Sequence, residues 1–204
     1  MINYLDNMIE SCLYLLKNKD IKTYQHSIKV KQCATDFSKY LKLPQKEQKI
    51  VGYAGALHDI GKLFIPDSIL KKPSPLTDEE FTIIKMHPIF GYEMFCECFR
   101  NLNGKNVQLI GDAILHHHEH CDGNGYPDGV LINTLSPITS IISICDVYEA
   151  LVSNRCYKSA YSTDEALKIM DMEKDKQFQL KLFEKFFDFV QGRNYYLQKK
   201  SGDA

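Results

Sequence analysis

The sequence lacks an excess of charge of either sign: its 204 residues include 25 lysines and arginines against 26 aspartates and glutamates. Non-specific electrostatic binding to a nucleic-acid polymer or to a membrane surface is therefore not expected. A long apolar run near the start is also lacking, because Asp6, Glu10 and Lys17 interrupt residues 1–20. Neither a signal peptide nor a membrane span fits this pattern.

Paired cysteines are missing as well. The seven cysteines are scattered, and the C-x-C of Cys96 and Cys98 has no second thiolate pair to complete a zinc knuckle. Free thiols that pack as small apolar residues in a reducing compartment are expected. The expected location is therefore the cytoplasm.

Strand patterns are few, since residues 130–135 are too short and isolated to build a sheet, and no internal repeat is visible. Helical periodicity dominates instead, as in the apolar i, i+3, i+4 pattern of residues 5–16. The sequence therefore predicts an all-α fold, a single compact helical bundle of about seven to nine helices. Glycine and proline crowd a predicted loop at residues 122–135.

Several helix boundaries are predicted from capping and proline signals. The capping boxes that begin at Thr77 and Ser162 and the pair Ser136-Pro137 each predict a helix start. Pro88 cannot continue a helix, so His87 is expected at a break or at a new helix start. The other predicted helices cover residues 26–41, 46–60 and 106–119, and a last one has its apolar face between residues 178 and 190.

Five points along the chain carry groups that bind metals through imidazole nitrogen or carboxylate oxygen. They are His26, the pair His58-Asp59, His87, the run His116-His117-His118, and Asp146. Helices of a bundle can point such groups into one central pocket. Neighbours on a helix diverge by about 100°, so two metals about 3.5–4 Å apart, bridged by Asp59, suit the His-Asp pair better than one. The absence of thiolates from this set favours iron or manganese.

Each of these signals has an ordinary alternative. A lone buried histidine is more often a satisfied core residue than a ligand, and His116, Glu119 and His120 could be exposed bystanders or supports behind the ligands. Asp146 differs because it stands in an apolar helix, where an unpaired charge is costly and a metal is a natural partner. Taken jointly, the residues favour a two-metal site that hydrolyses a phosphodiester.

The stretch His58-Asp59-Ile60-Gly61-Lys62, with His26 upstream and Asp146 downstream, resembles the HD superfamily of metal-dependent phosphohydrolases. Residues 117–119 followed by 122–129 resemble the second signature of its HD-GYP subfamily. The similarity covers about residues 20–190. It implies an HD-type bundle. The expected organisation is a helical extension at residues 1–20 that packs on a domain at residues 21–196, followed by a flexible tail at residues 197–204.

The resemblance also implies an activity, that of a bacterial signal-transduction phosphodiesterase that converts cyclic di-GMP to linear pGpG and, if hydrolysis continues, to GMP. A metal-bridging hydroxide would attack the phosphate, with Asp59 and Lys62 as catalytic residues and Lys62 at the scissile phosphate. One metal would take His26, His58, Asp59 and Asp146, and the other Asp59, His87, His117 and His118. Substrate contacts would come from Lys62, Gly125, Tyr126, Arg155 and Lys158.

The charges agree with this assignment. Two divalent ions, two carboxylates and one hydroxide leave about one net positive charge, which attracts an anionic diester. The guanidinium of Arg155 suits a bidentate contact with phosphate, and the ammonium of Lys158 acts as a point charge. Tyr126 could stack on a base or anchor its loop.

The sequence departs from the family pattern at a few positions. Lys22 stands where some members have a glutamate that binds a third metal, so two metals are expected. Glu149 replaces a frequent aspartate, Lys29 replaces an arginine, and Phe178-Gln179-Leu180 replaces Phe-Asp-Pro. No sensor domain is evident, so regulation would come from ligand level, expression, a protein partner or a homodimer.

Two other functions stay open at the level of sequence. One changes only the substrate, to cyclic GMP-AMP or to a mononucleotide. The other is a receptor or interaction module that binds cyclic di-GMP and hardly cleaves it.

Overall fold

A computed structural model describes residues 2–102, 104–153 and 160–201, with the backbone alone for residues 2–4 and 193–201. The α-helices are α1 (Ile2–Lys19), α2 (Ile21–Tyr40), α3 (Gln45–Leu57), α4 (Asp67–Leu70), α5 (Asp78–Ile84), α6 (His87–Phe99), α7 (Lys105–His116), α8 (Pro137–Val152), α9 (Thr163–Gln177) and α10 (Leu180–Ser201). Short 3₁₀ helices lie at Ile60–Phe64 and Ile132–Thr134. No strand occurs in these ranges, which confirms the all-α prediction. Nine of the ten described α-helices are longer than the single turn of α4.

Local capping rules account for several helix starts. Both predicted capping boxes are present: Thr77 and Glu80 satisfy each other's backbone donors at the start of α5, and Ser162 and Glu165 do the same for α9. Ser136 caps α8, whose first residue is proline. The new helix start predicted at His87 is also confirmed, because α6 begins there.

Other predicted boundaries were wrong. Helix α2 begins at Ile21 rather than at residue 26, because the Asp20 carboxylate accepts the backbone N–H of Thr23 at 2.9 Å and caps the helix there. Helix α3 ends at Leu57 and not at the predicted residue 60, and α7 ends at His116 and not at the predicted residue 119. The chain turns at His58 and His117, the C-caps of these helices, into a 3₁₀ helix and a loop.

The core lies where α2 packs along α3 and α8, and α10 closes it from one side. Phe37 of α2 is fully buried and meets Phe186 of α10 edge to face, with ring centroids 5.0 Å apart. Contacts of this kind add to the free energy gained by burying apolar surface. The core thereby holds α2, α3 and α8 in fixed relation.

Helix α1 packs on α2, α3 and the first 3₁₀ helix through buried residues such as Leu13 and Leu16. Asp6 on α1 also pairs with Lys49 of α3 at 3.0 Å and accepts a hydrogen bond from Tyr53. Helix α10 includes residues 197–201, which were predicted to belong to the tail. The division into extension, domain and tail stays a prediction.

Within the described ranges, every helix is too short or too polar to cross a lipid bilayer.

Candidate metal centre

Seven side chains from separate parts of the chain converge at one place between α2, α3, α6, α7 and α8. His58 and Asp59 follow the last residue of α3, His87 is the first residue of α6, and His117 follows α7. Their nitrogen and oxygen atoms form three overlapping sets that could hold a metal ion. In each set the ligand atoms lie within 4.8 Å of one another. Together these sets contain all the predicted metal residues: His26, His58, Asp59, His87, His117, His118 and Asp146.

One half of the centre forms around Asp146. Its Oδ1 lies 2.7 Å from His26 Nε2 and 3.6 Å from His58 Nε2. His58 Nε2 is also 3.4 Å from Oδ2 of Asp59. Two imidazoles and two carboxylates therefore face one another on this side.

The other half forms around His87. Its Nε2 lies 3.3 Å from His117 Nε2 and 3.3 Å from Oδ1 of Asp59. His118 completes this group, with its ring centroid 5.1 Å from that of His87. Because Oδ2 of Asp59 faces His58 and Oδ1 faces His87, one carboxylate joins the two halves.

Three of the histidines are oriented by backbone carbonyls. Nδ1 of His58, His87 and His117 lies 2.9, 2.8 and 2.9 Å from the carbonyl oxygens of Gly55, Ile84 and Ile114. A carbonyl accepts only, so each Nδ1 carries the hydrogen and donates it. When the ring is neutral, this tautomer leaves Nε2 with its lone pair directed into the centre, the arrangement that usually orients histidine ligands of metals.

Burial and neighbouring charges set the protonation states. Burial lowers the pKa of His87 to about 3 and that of His117 to about 4, so both rings are neutral near pH 7. Burial opposes ionisation of Asp59 and Asp146, but neighbouring groups outweigh it and hold both pKa values below the usual range. These groups are the positive charges of Lys62 and His58 beside Asp59, and the hydrogen bond from His26 and the positive charge of His58 beside Asp146. Charged carboxylates and neutral imidazoles are the forms that bind metals.

His58 shows what the centre requires. Its Nε2 is buried and, within the described part of the chain, has no hydrogen-bond partner. Burial opposes protonation of His58, but the carboxylates of Asp59 and Asp146 raise its pKa to about 10. A buried polar atom without a partner is rare in native proteins. A divalent cation between these donors satisfies the atom and neutralises both carboxylates, so the residues fit a metal.

A glycine contact brings the two halves together. A Cβ on Gly61 would lie 1.9 Å from the His87 carbonyl oxygen and 2.4 Å from the Gly91 nitrogen, both backbone atoms. Only glycine permits this approach of the first 3₁₀ helix to α6. The contact places Asp59, two residues before Gly61, next to His87.

Lys62 stands at the edge of the centre. Its Nζ donates to Oδ2 of Asp59 at 2.7 Å, and 21% of the side chain is exposed. The ammonium is therefore anchored at the carboxylate and still accessible to an anionic ligand.

The predicted substrate loop packs against the centre. The ring of Tyr126 stacks on that of His118, with centroids 4.6 Å apart and planes 27° apart. A Cβ on Gly125 would lie 2.5 Å from the His118 carbonyl oxygen. The loop backbone at Gly125 is therefore in close contact with the backbone of residues 118–120. Arg155 and Lys158, the predicted phosphate contacts, lie outside the described residues.

Glu119 has a role that the sequence left open. It was grouped with residues that could be exposed bystanders or supports behind the ligands. It is fully buried, and its Oε1 accepts the backbone N–H groups of Asp128 and Gly129 at 2.8 and 3.0 Å. His116, which is partly buried, lies 3.1 Å from the Asp128 carboxylate. The sequence signal was its place in residues 117–119, part of the second family signature, directly before a glycine-rich loop.

Comparison with known proteins identifies relatives of this arrangement. The profile of the HD domain family matches residues 8–182. A cyclic di-GMP phosphodiesterase of Pseudomonas aeruginosa is 40% identical over 158 residues, which are 78% of this chain and 37% of that protein. A 3′3′-cGAMP-specific phosphodiesterase of Vibrio cholerae is 34% identical over 160 residues, which are 74% of this chain and 34% of that protein. The chain thus spans about a third of the length of these two relatives.

Solved structures share the fold. The HD domain of the L. monocytogenes phosphodiesterase PgpH, solved in complex with cyclic-di-AMP, matches with a TM-score of 0.65 at 19% identity. The match covers 92% of this chain and 96% of that one.

Proposed function

The chain belongs to the HD domain family, and from this premise we propose that it is a metal-dependent phosphodiesterase that hydrolyses cyclic di-GMP to linear pGpG, with GMP as the product of further hydrolysis. The observation that carries the proposal is the position of Asp59. Its Oδ2 faces His58 and its Oδ1 faces His87, so one buried carboxylate can serve two metal ions.

The proposed ligands follow the two halves of the centre. One ion would be held by His26, His58, Asp59 and Asp146, and the other by Asp59, His87, His117 and His118. These donors are imidazole nitrogens and carboxylate oxygens without a thiolate, which favours iron or manganese. When bound, two such ions lower the pKa of a coordinated water to roughly 7 and neutralise charge on the phosphate.

The protein supplies the remaining parts of the site. The backbone hydrogen bonds at Nδ1 hold His58, His87 and His117 so that no reorientation is needed when a cation binds. Lys62 is tethered to Asp59 and partly exposed, so its ammonium can stabilise negative charge on the phosphate oxygens.

For substrate we propose a cyclic dinucleotide, met in the cytoplasm. The P. aeruginosa relative is named for cyclic di-GMP. Lys62 would contact the scissile phosphate, Arg155 and Lys158 the phosphates, and the loop at Gly125 and Tyr126 the wall of the nucleotide pocket. A regulatory protein partner or a homodimer remains part of the proposal.

A second candidate substrate is the hybrid cyclic dinucleotide 3′3′-cGAMP. The V. cholerae relative named for that substrate is 34% identical to this chain, close to the 40% of the relative named for cyclic di-GMP. The metal centre acts on a phosphodiester in either case, so the choice between the two depends on contacts with the bases.

The test is hydrolysis by the metal-loaded protein. Purified chain, reconstituted anaerobically with Fe²⁺ or Mn²⁺, is incubated with cyclic di-GMP, 3′3′-cGAMP and a panel of mononucleotides, and products are separated by chromatography. We expect conversion of cyclic di-GMP to pGpG and no conversion by Asp59→Ala. Metal content is measured on the same samples.

Other outcomes would change the conclusion. Turnover of mononucleotides alone would refute a dinucleotide phosphodiesterase, and faster turnover of 3′3′-cGAMP would favour the second candidate. If wild type and Asp59→Ala are equally inactive while wild type binds cyclic di-GMP, the protein is a receptor.

A further inference from the structure

His118 differs from the other histidines of its group in how its ring is held. His87 and His117 each donate Nδ1–H to a backbone carbonyl, at 2.8 and 2.9 Å. Within the described part of the chain, no hydrogen bond to a ring nitrogen of His118 is present. The ring instead contacts the ring of His117, at a centroid distance of 4.1 Å, and the stacked ring of Tyr126, at 4.6 Å.

Tyr126 is itself held against the segment that carries His118. Its backbone N–H donates to the His118 carbonyl oxygen at 3.1 Å. The preceding Gly125 allows the closest approach, since a Cβ there would lie 2.5 Å from the Glu119 Cα and 2.6 Å from the His120 nitrogen. The Tyr126 ring therefore stacks on His118 from a backbone whose position is set by direct contact.

Glu119 closes the loop behind Tyr126. Its side chain is fully buried, and Oε1 accepts the N–H groups of Asp128 and Gly129 at 2.8 and 3.0 Å. The loop is thus attached to the 118–120 segment on both sides of Tyr126. A loop fastened at two points can hold an aromatic ring in one place, which a freely moving loop cannot.

From these contacts we propose that Tyr126 is a positioning residue that orients the ring of His118 toward the metal ion shared with His87 and His117. Backbone carbonyls orient the rings of His87 and His117, and the Tyr126 ring would do the same for His118. The proposal rests on the proposed function, because it takes His118 as a metal ligand. An offset aromatic stack restrains both the tilt and the translation of the imidazole. The same contact occupies the face of Tyr126 that meets His118, so that face does not bind a nucleotide base.

The experiment measures Mn²⁺ binding and not activity. Isothermal titration calorimetry on the full chain compares wild type with Tyr126→Leu, which removes the aromatic face, and with Tyr126→Phe, which keeps it. Tyr14→Leu is the matched control, since Tyr14 is 67% exposed on α1, away from the centre. Circular dichroism and thermal unfolding verify that each variant is folded.

For wild type we expect two bound ions. Tyr126→Leu should lower the affinity for one Mn²⁺ ion by about 10–100-fold and leave the affinity for the other unchanged. This is the usual effect of removing a residue that supports a metal ligand. Tyr126→Phe and Tyr14→Leu should match wild type. In a His118→Ala background, Tyr126→Leu should have no further effect on Mn²⁺ affinity, because the residue through which it acts is gone.

Contrary results are distinguishable. Three results would refute the positioning role and leave the proposed function standing. Tyr126→Leu could bind both ions as tightly as wild type, or its affinity for both ions could fall equally. In the His118→Ala background, Tyr126→Leu could lower the Mn²⁺ affinity further. If wild type binds fewer than two ions, the proposed function fails and the inference fails with it. Should Tyr126→Leu not fold, Tyr126→Met refills much of the ring volume without an aromatic face, and the same outcomes apply.

Discussion

Oδ1 of Asp59 lies 3.3 Å from Nε2 of His87, across the contact between the first 3₁₀ helix and α6. These two residues are 28 positions apart in the chain. The other oxygen of Asp59 faces His58, which follows the last residue of α3. The Asp59 side chain is 2% exposed, so its negative charge must be balanced inside the protein.

Asp59→Asn keeps the shape of the side chain and removes the charge that both halves of the centre share. We expect the variant to retain fewer than two metal ions and to lose at least about 100-fold in phosphodiesterase activity. Metal analysis after desalting measures the first effect. Asp171→Asn, on the exposed side of α9, is the control, and full metal occupancy in Asp59→Asn would contradict a bridging role.

Lys62→Met should separate metal binding from turnover. The ammonium pairs with Asp59 at 2.7 Å, and a bound cation can replace it as the partner of that carboxylate. We expect both metals to bind and kcat to fall by roughly 100–1000-fold, because a group that stabilises negative charge is lost. Lys71→Met, which breaks only a pair with the exposed Asp67, serves as the comparison. Loss of metal with the loss of rate would assign Lys62 a structural role.

Gly61→Ala should destabilise the protein. The new Cβ meets backbone atoms of His87 and Gly91, which cannot move aside as a flexible side chain can. The expected cost is about 2–3 kcal/mol in the free energy of unfolding, measured by urea denaturation. Gly192→Ala, in α10 with no atom within 4 Å of its Cβ, should gain about 0.5–1 kcal/mol. Equal effects at both glycines would disprove the steric argument.

Glu119→Ala removes the acceptor of two backbone N–H groups and should cost about 2–4 kcal/mol of stability. Glu119→Gln keeps an oxygen at this position and should cost less. Glu97→Ala, whose side chain is 79% exposed, should change stability by less than about 0.5 kcal/mol. A Glu119→Ala variant as stable as wild type would show that the loop does not depend on these bonds.

The two capping boxes should differ in their effect. Ser162→Ala removes the cap of α9, which buries Leu167 and Met170 in the core, and should lower the free energy of unfolding by about 1 kcal/mol. Thr77→Ala removes the same kind of cap from α5, which has no buried residue and can fray locally. We expect faster hydrogen exchange in residues 78–84 and little change in global stability. An equal loss of global stability in both variants would be inconsistent with local fraying of α5.

Local signals in the sequence predicted the features that depend on a few neighbouring residues. Capping boxes at Thr77 and Ser162 and the proline after Ser136 are satisfied within one helical turn, so their helix starts were correct. The side chains that converge at the candidate metal centre were also named from sequence, because few residue types bind cations and their collection in one chain is informative. Both the all-α class and the family follow from such patterns.

The tertiary structure decided what depends on residues far apart in the chain. Gly61 is needed because α6 passes beside it, and Glu119 is buried because a loop nine residues later folds back onto it. The stacking of Tyr126 on His118 likewise leaves no mark in the local pattern. Residue type and spacing determined which groups can bind a metal. Only the packing of helices decided which oxygen of Asp59 faces which histidine, because distances across a bundle are set by the contacts between helices and not by separation along the chain.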